Sequence, residues 1–579
     1  MMTDYPYDLG NHHRPVSSSE EAQTWFDRGL NWTFGFNFDE AAACYERAID
    51  ADPGCVMAHW GVAYSIGPNY NRSWERFTDQ ELTDTLARAR RAITEARAAF
   101  DEATPAEQAM IDALEHRYPT LEAPEDFTPW KDDFATAMRE VQARFPDDRD
   151  VTTVCVDAMM NRTPWRMWDP RTGVPTDEAD TLACRAMLEA ALAAAAAAGE
   201  PYHPGLLHLY VHLMEMSPTP EVALPAADAL RGLVPDAGHL EHMSTHIDVL
   251  CGDYQNVVAG NSRAIVADLK YWEEQGPMNR YSSYRLHNYH FNLYGAMFLG
   301  RFDVAVNTVA AMHETIPEAL LRIESPPMAD FLEGYMAMGI HALVRFGAWQ
   351  DLVDRPLPEE PDLYTVTTAM TWYGKGVANA ALGHHEAAAE ARLRFEEAVT
   401  AVTEDRYIHV VRCLDILDVA REMLAGEVLY HRGDHDDAFA HLRKAVELED
   451  ALPYDEPWAW MMPSRHALGA LLLAQGHVEE ATEAYEADLG LNDEVIRSNQ
   501  HPDNVWALVG LHECYTRLGR DREAQMIKPR LDFALARADD TIRSSCFCSV
   551  SGSAGVSGSA GGSGSADPSA ADTDACCSD

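Results

Sequence analysis

Between positions 203 and 290 the chain reads HPGLLHLYVHLME, then GHLEHMSTH, then HNYH. The residues able to hold a cation or carry a proton are His203, His208, His212 and Glu215, then His239, His242 and His246, then His287 and His290. His-x-x-x-His on a helix sets two imidazoles one turn apart on one face, so both can reach one ion. Two such pairs, His208/His212 and His242/His246, are joined by the His-x-x-His pair His287/His290 and by Glu215. This set exceeds the three or four ligands of a single zinc and suits two ions held between facing helices. Imidazole-dominated ligation fits copper, zinc, iron or nickel, and argues against magnesium or calcium. The expected cofactor is therefore a pair of transition-metal ions (copper, zinc or iron). Its expected ligands are His208, His212, His242, His246, His287 and His290. His239 is a further ligand or a residue orienting one, and Glu215 a ligand, a bridge or the general base of catalysis. Two blander readings stand beside this one: a metal-free polar pocket, and histidines that only pack. His12, His13, His384, His385 and His501 read as surface residues.

Those histidines need a scaffold that repeats. From Trp25 to Pro53 the spacing of Trp25, Gly29, Trp32, Ala41, Tyr45, Ala48 and Pro53 resembles a tetratricopeptide repeat (TPR), a helix pair with a period of about 34 residues. A small residue lets helix A approach helix B, large apolar residues flank it, and Pro closes helix B. The same frame fits Gly426, Gly433, Ala438, Leu442 and Ala445, then Gly469, Gly476, Ala481 and Tyr485, then Tyr515, Gly519 and Ala524. Degenerate copies surround GRFDVAV, FGAWQDL and LGHHEAA, with irregular insertions near Pro119–Asp147 and Asp268–Tyr284. The expected fold is all-α: a TPR-like helical-repeat solenoid over 19–543, preceded by an extension over 1–18. A disordered Gly/Ser/Ala-rich tail is expected over 544–579.

In such a frame the second, fifth, ninth and twelfth positions of helix A face the concave side. A register set on turn residues puts His208, His212 and Glu215 on one inner helix, His239, His242 and His246 on the next, and His287 and His290 on a third. His203 falls just before its helix. Asp157 and Asn161 on the preceding helix, and His341 on a following one, are further candidates. Trp60 and Tyr64 reach the groove or pack in the core. The run from Pro453 to Gly469, with Tyr454, Asp455 and Glu456, reads as a loop leading to Pro463 in the first turn of a helix.

Composition narrows the function. The formal charge is −48, from 45 Lys+Arg against 93 Asp+Glu. Such a field repels phosphate backbones and anionic lipid, so neither nucleic acid nor membrane is an expected partner. The expected partner is a small molecule or peptide in the concave groove, or a partner protein. No transmembrane run and no signal peptide are expected, which makes the cytoplasm the default. Of the 11 cysteines, Cys546, Cys548, Cys576 and Cys577 flank the tail linker. Paired thiols there could ferry a soft metal or act in redox exchange, and an inert tail is the alternative.

The divergent repeats, HLYVHLMEMSPTPEVALPAADAL, GHLEHMSTH, RLHNYHF and the late SCFC together resemble a group of large, uncharacterised bacterial TPR-domain proteins with histidine-rich helix motifs. That resemblance implies the fold and carries no catalytic residues across. Two functions remain open: a metal-dependent oxidoreductase or hydrolase, and a non-enzymatic scaffold binding a peptide or partner protein in its groove.

Overall fold

The computed structural model describes residues 5–549 apart from 170, 325, 540 and 541. The chain is an all-α solenoid of the tetratricopeptide type. Its clearest repeats are the antiparallel pairs Glu20–Phe34 with Phe38–Ala51, Gly238–Leu250 with Tyr254–Gln275, Ser282–Leu299 with Phe302–Glu314, and Cys413–Arg432 with His435–Asp450. Among the described residues the strands are Tyr407–Ile408 and Val411–Arg412, an antiparallel hairpin.

One wedge recurs in the packing. The Tyr45 ring fits between Gly29 of its own helix A and Gly61 of the next. A methyl on Gly29 would come within 2.7 Å of that ring, and one on Gly61 within 2.6 Å. Tyr485 lies against Gly469 and Gly510 in the same way. A side chain that needs two adjacent helices to leave room for it fixes their spacing. Three of these antiparallel pairs have a left-handed glycine in the turn, Gly252 at φ 77°, Gly300 at φ 74° and Gly433 at φ 92°. In the first of these turns Asp253 follows as the N-cap, accepting from the Asn256 backbone N–H.

The expected insertion at 268–284 is partly helical: Tyr254–Gln275 runs into it and Ser282–Leu299 begins within it, so the irregular stretch is 276–281. Within the extension before 19, Tyr7, Leu9 and Arg14 are buried. At the other end Ser545, Cys546, Phe547 and Cys548, expected in the tail, are buried in the fold. The remaining tail, with Cys576 and Cys577, lies outside the described residues. One described helix, Thr181–Ala198, is by length and composition apolar enough to cross a membrane, though Arg185 and Glu189 interrupt its apolar run. It pairs Arg185 with Glu189 on its surface and packs Cys184, Leu188 and Ala191 inward.

The solenoid curls back on itself. The Trp506 indole donates to the Met297 carbonyl at 2.7 Å, and the Tyr254 hydroxyl donates to the Pro502 carbonyl at 3.0 Å. Two apolar cores result, one built mainly from residues up to Ile247 and the other from Val249 onward. The helix Gly238–Leu250 lies at their seam, and every one of its residues is buried.

Candidate functional site

Three inner helices bring the histidines together. Pro204–Met214 starts at His203, whose ring nitrogen accepts from the Leu206 N–H, and Pro204 fits its first turn. His208 and His212 lie one turn apart on it. Gly238–Leu250 packs beside it, and Ser282–Leu299 beyond. The structure sorts the residues into two triads. His208, His212 and His239 place one nitrogen each within 4.8 Å of one another, and so do His242, His246 and His287. Each triad takes an i, i+4 pair from one helix and one histidine from the N-terminal part of the next, His239 in its first turn and His287 in its second. The triads adjoin, with the His212 and His246 rings 5.7 Å apart between centroids.

The opposite edges of these rings are tethered. His208 Nδ1 lies 2.7 Å from the Phe34 carbonyl, which can only accept, so this nitrogen carries the proton and Nε2 is bare. His246 Nδ1 faces Glu215 Oε2 at 2.7 Å and also contacts Glu456. His212 Nδ1 faces Glu215 Oε1 at 3.1 Å. His242 Nδ1 faces Asn261 Oδ1 at 2.8 Å, and the Asn261 amide nitrogen is spent on Thr245 and Val257. The Phe34 carbonyl and the Asn261 oxygen assign the His208 and His242 protons to Nδ1 and turn Nε2 inward, and Glu215 fixes the orientation of the His212 and His246 rings. Inside the triads, His242 Nε2 and His246 Nε2 are 2.6 Å apart, and His208 Nε2 and His239 Nε2 are 3.1 Å apart. His212 Nε2, His239 Nδ1 and His287 Nδ1 are buried with no partner.

Burial sets the electrostatics. It pushes the His208 imidazole down to about 3 and holds His212, His239, His242 and His287 well below the ordinary histidine value, with neighbouring imidazoles adding to the effect. These rings are neutral at pH 7, with lone pairs available. Glu215 is pushed well above the carboxylate range by burial and by Glu456 beside it.

The triads form the floor of a cleft of about 730 Å³, lined by His212, His239, His246 and His287. Three backbone strains surround it. Phe36, Trp165 and His409 have φ of 55°, 60° and 50°, where a side chain is unfavourable. Phe36 packs on His208 with centroids 4.3 Å apart, Trp165 on His212 at 5.9 Å, and His409 on His287 at 5.2 Å. Each costs about 1–3 kcal/mol and persists because its surroundings hold it, as is common at working sites.

Several expected residues lie elsewhere. His290 joins neither triad; three residues beyond His287, its ring turns to Tyr335 at 5.7 Å and neither nitrogen has a partner. Glu215 does not line the cleft, but it forms a third candidate ligand group with His212 and His246, whose Nδ1 edges it meets. Asp157 is taken by the Tyr64 hydroxyl, Asn161 borders a separate small pocket, and His341 lies against Trp460 at 4.8 Å. Trp60 and Tyr64 stack in the core. His12 and His501, read as surface residues, are bound instead to Asp150 and Asp488.

Sequence reading missed two contributors. His409, at the tip of the 407–412 hairpin, lines the cleft with Nδ1 on Asp455. The 454–456 segment is not a plain loop, because Asp455 holds His409 and Glu456 touches His246. Its acidic pair inside an aromatic stretch was the available signal. Pro463 is the N-cap of Ser464–Gln475 rather than a first-turn residue.

No protein-family model matches the sequence, and no curated protein matches it. Among solved structures, the chain is similar to a monomeric mutant of IFIT1 with m7Gppp-AAAA, at 11% identity and TM-score 0.32 over 83% of this chain and 90% of that one. It is also similar to the APC/C hetero-tetramer Cut9-Hcn1, at 13% identity and TM-score 0.24 over 91% and 95%. A third is Naa15/Naa10 bound to HypK-THB, at 11% identity and TM-score 0.20 over 89% and 70%. Likeness at this level adds nothing to the site, and the fold description rests on this chain's own helices.

Proposed function

We propose that the two triads hold a pair of transition-metal ions, one in each, and that the protein is a metal-dependent enzyme acting on a molecule bound in the cleft. The observation that carries this reading is the convergence of imidazole nitrogens. His242 carries its proton on Nδ1, and its bare Nε2 lies 2.6 Å from the Nε2 of His246, with a His287 nitrogen beside both. A contact that short needs a proton or a cation between the two nitrogens, and three converging imidazoles suit a cation. Metal–nitrogen bonds of about 2.0–2.1 Å place neighbouring ligand nitrogens about 3 Å apart, and the His208–His239 separation of 3.1 Å already fits. Neutral imidazoles tethered through Nδ1 to carbonyl, amide or carboxylate are the form a metal-binding histidine takes.

Six imidazoles suit copper first by the order of divalent affinities, and zinc or iron after it. Copper in this setting would supply redox chemistry, and zinc would supply Lewis-acid activation of water. The chain's own residues do the rest. Glu215, reaching one ring of each triad, keeps His212 and His246 in register. His409, held through Nδ1 by Asp455, offers its other nitrogen to a proton in the cleft. Trp165, Tyr284 and Tyr335 line that cleft and supply apolar surface for a substrate. The peptide-binding alternative would use this same cleft, with Gly238–Leu250 as its buried floor.

Titration of the metal-free chain with Cu(II) tests the reading. Two equivalents should bind, about one in a His208→Ala/His239→Ala variant and about one in a His242→Ala/His287→Ala variant. A stoichiometry unchanged by both pairs of substitutions would sink it.

A further inference from the structure

Away from the histidines, a second cluster gathers donor atoms from distant parts of the chain. Glu427, on Cys413–Arg432, brings a carboxylate oxygen to the sulfurs of Cys546 and Cys548, and the three atoms lie within 4.8 Å of one another. All three residues are buried, Glu427 to 1% exposure. Glu427 Oε2 has no hydrogen-bond partner. Burial alone acts on this carboxyl and pushes it up to about 8, with no cationic side chain beside it to offset the cost. A buried carboxylate without donor or counter-charge is unfavourable unless it is protonated or faces a cation.

The cysteine pair is held firmly against it. Arg345 donates to the Ser545 carbonyl at 2.9 Å, and the Ser545 hydroxyl donates to the His466 carbonyl at 3.2 Å. Phe547 lies against Trp506, with centroids 6.1 Å apart. One turn beyond Glu427, the His431 Nε2 is buried without a partner. In this structure the two sulfurs are bonded to each other.

We propose that Cys546, Cys548 and Glu427 form a redox-gated site for a thiophilic divalent cation of the zinc class, closed as the disulfide and open as the dithiol. Opening takes a dithiol reductant. The S–S bond breaks, two electrons and two protons pass from the dithiol to the two sulfurs, and the reductant leaves as its own disulfide. Binding then forms two metal–sulfur bonds, releases both thiol protons and engages the Glu427 oxygen. Two thiolates and a carboxylate carry three negative charges, which a divalent ion offsets better than a monovalent one. Sulfur donors also separate this site chemically from the imidazole triads.

Cadmium serves as the probe, because its bonds to thiolate give an ultraviolet charge-transfer band that imidazole ligation does not. The full chain carrying Cys576→Ser and Cys577→Ser is reduced with a dithiol, freed of it without oxygen, and titrated with Cd²⁺. The band should saturate at about one equivalent per chain and be absent before reduction. Cys548→Ser should abolish it, and Glu427→Gln should weaken binding about tenfold or more with helicity unchanged. The oxidised native chain is a control that does not depend on any variant folding. A band of equal size before and after reduction, a band that survives Cys548→Ser, no band in the reduced chain, or an affinity indifferent to Glu427→Gln would each overturn the proposal.

Discussion

His208 shows how one imidazole is committed before any ligand arrives. Its Nδ1 proton goes to the Phe34 carbonyl, and burial keeps the ring neutral, its pKa pushed down to about 3. In an unfolded chain the same group titrates near 6.5. The folded metal-free protein therefore refuses a proton that the unfolded chain accepts. The stabilisation is complete above about pH 6.5 and is lost as pH falls towards 3. At about pH 5, His208 alone should lower the unfolding free energy by about 2 kcal/mol. His212, His239, His242 and His287 shift in the same direction. Chemical denaturation of the metal-free chain at falling pH checks this, and a flat profile contradicts it. Glu215 contacts one ring of each triad, so Glu215→Gln should weaken metal binding about 10–100-fold at both, as read by competition with a chelator. Loss at one triad alone would show that it orients only one ring. At this scale the sequence was informative about which histidines matter and silent about their partners. Phe34, Asn261 and Glu456 carry no motif, because nothing local requires them to face an imidazole.

Helices are where sequence and structure agree best. Left-handed glycines and small-residue contacts recur at repeat spacing, so they are legible without coordinates. Tyr45 between Gly29 and Gly61 is the physical content of that pattern. Gly29→Ala should cost about 1–3 kcal/mol, because the added methyl falls within 2.7 Å of the ring and the helices must part. Thermal unfolding with retained helicity is the readout, and an unchanged midpoint would mean that the wedge is soft. The hairpin bearing His409 was not legible. It is two residues a side, and its tip takes a left-handed conformation that nothing in the sequence announces. His290 failed for the opposite reason. Its spacing from His287 is helical, but a step of three residues turned it towards Tyr335 and away from the triad.

Over the whole molecule, repetition builds the site twice. His208 and His212 precede His242 and His246 by one repeat of 34 residues, so each triad is a copy of the other in a neighbouring unit. The third ligand of each comes from the next repeat. Neither triad is thus complete within one helix pair, and the curl of the solenoid matters to both. Trp506 closes that curl through its bond to Met297. Trp506→Ala should destabilise the chain by about 3–5 kcal/mol, measured by denaturant unfolding, with the C-terminal repeats becoming the first to be cut by protease. Closure over two hundred residues has no signature in local periodicity, which is why sequence showed the helices and not the cleft.

The most direct test is the metal content of the chain purified after expression with added copper, zinc and iron. Elemental analysis should find about two transition-metal ions per chain, bound to both triads. Less than about 0.3 equivalents of any of them would contradict the account and leave a helical-repeat scaffold whose histidines only pack.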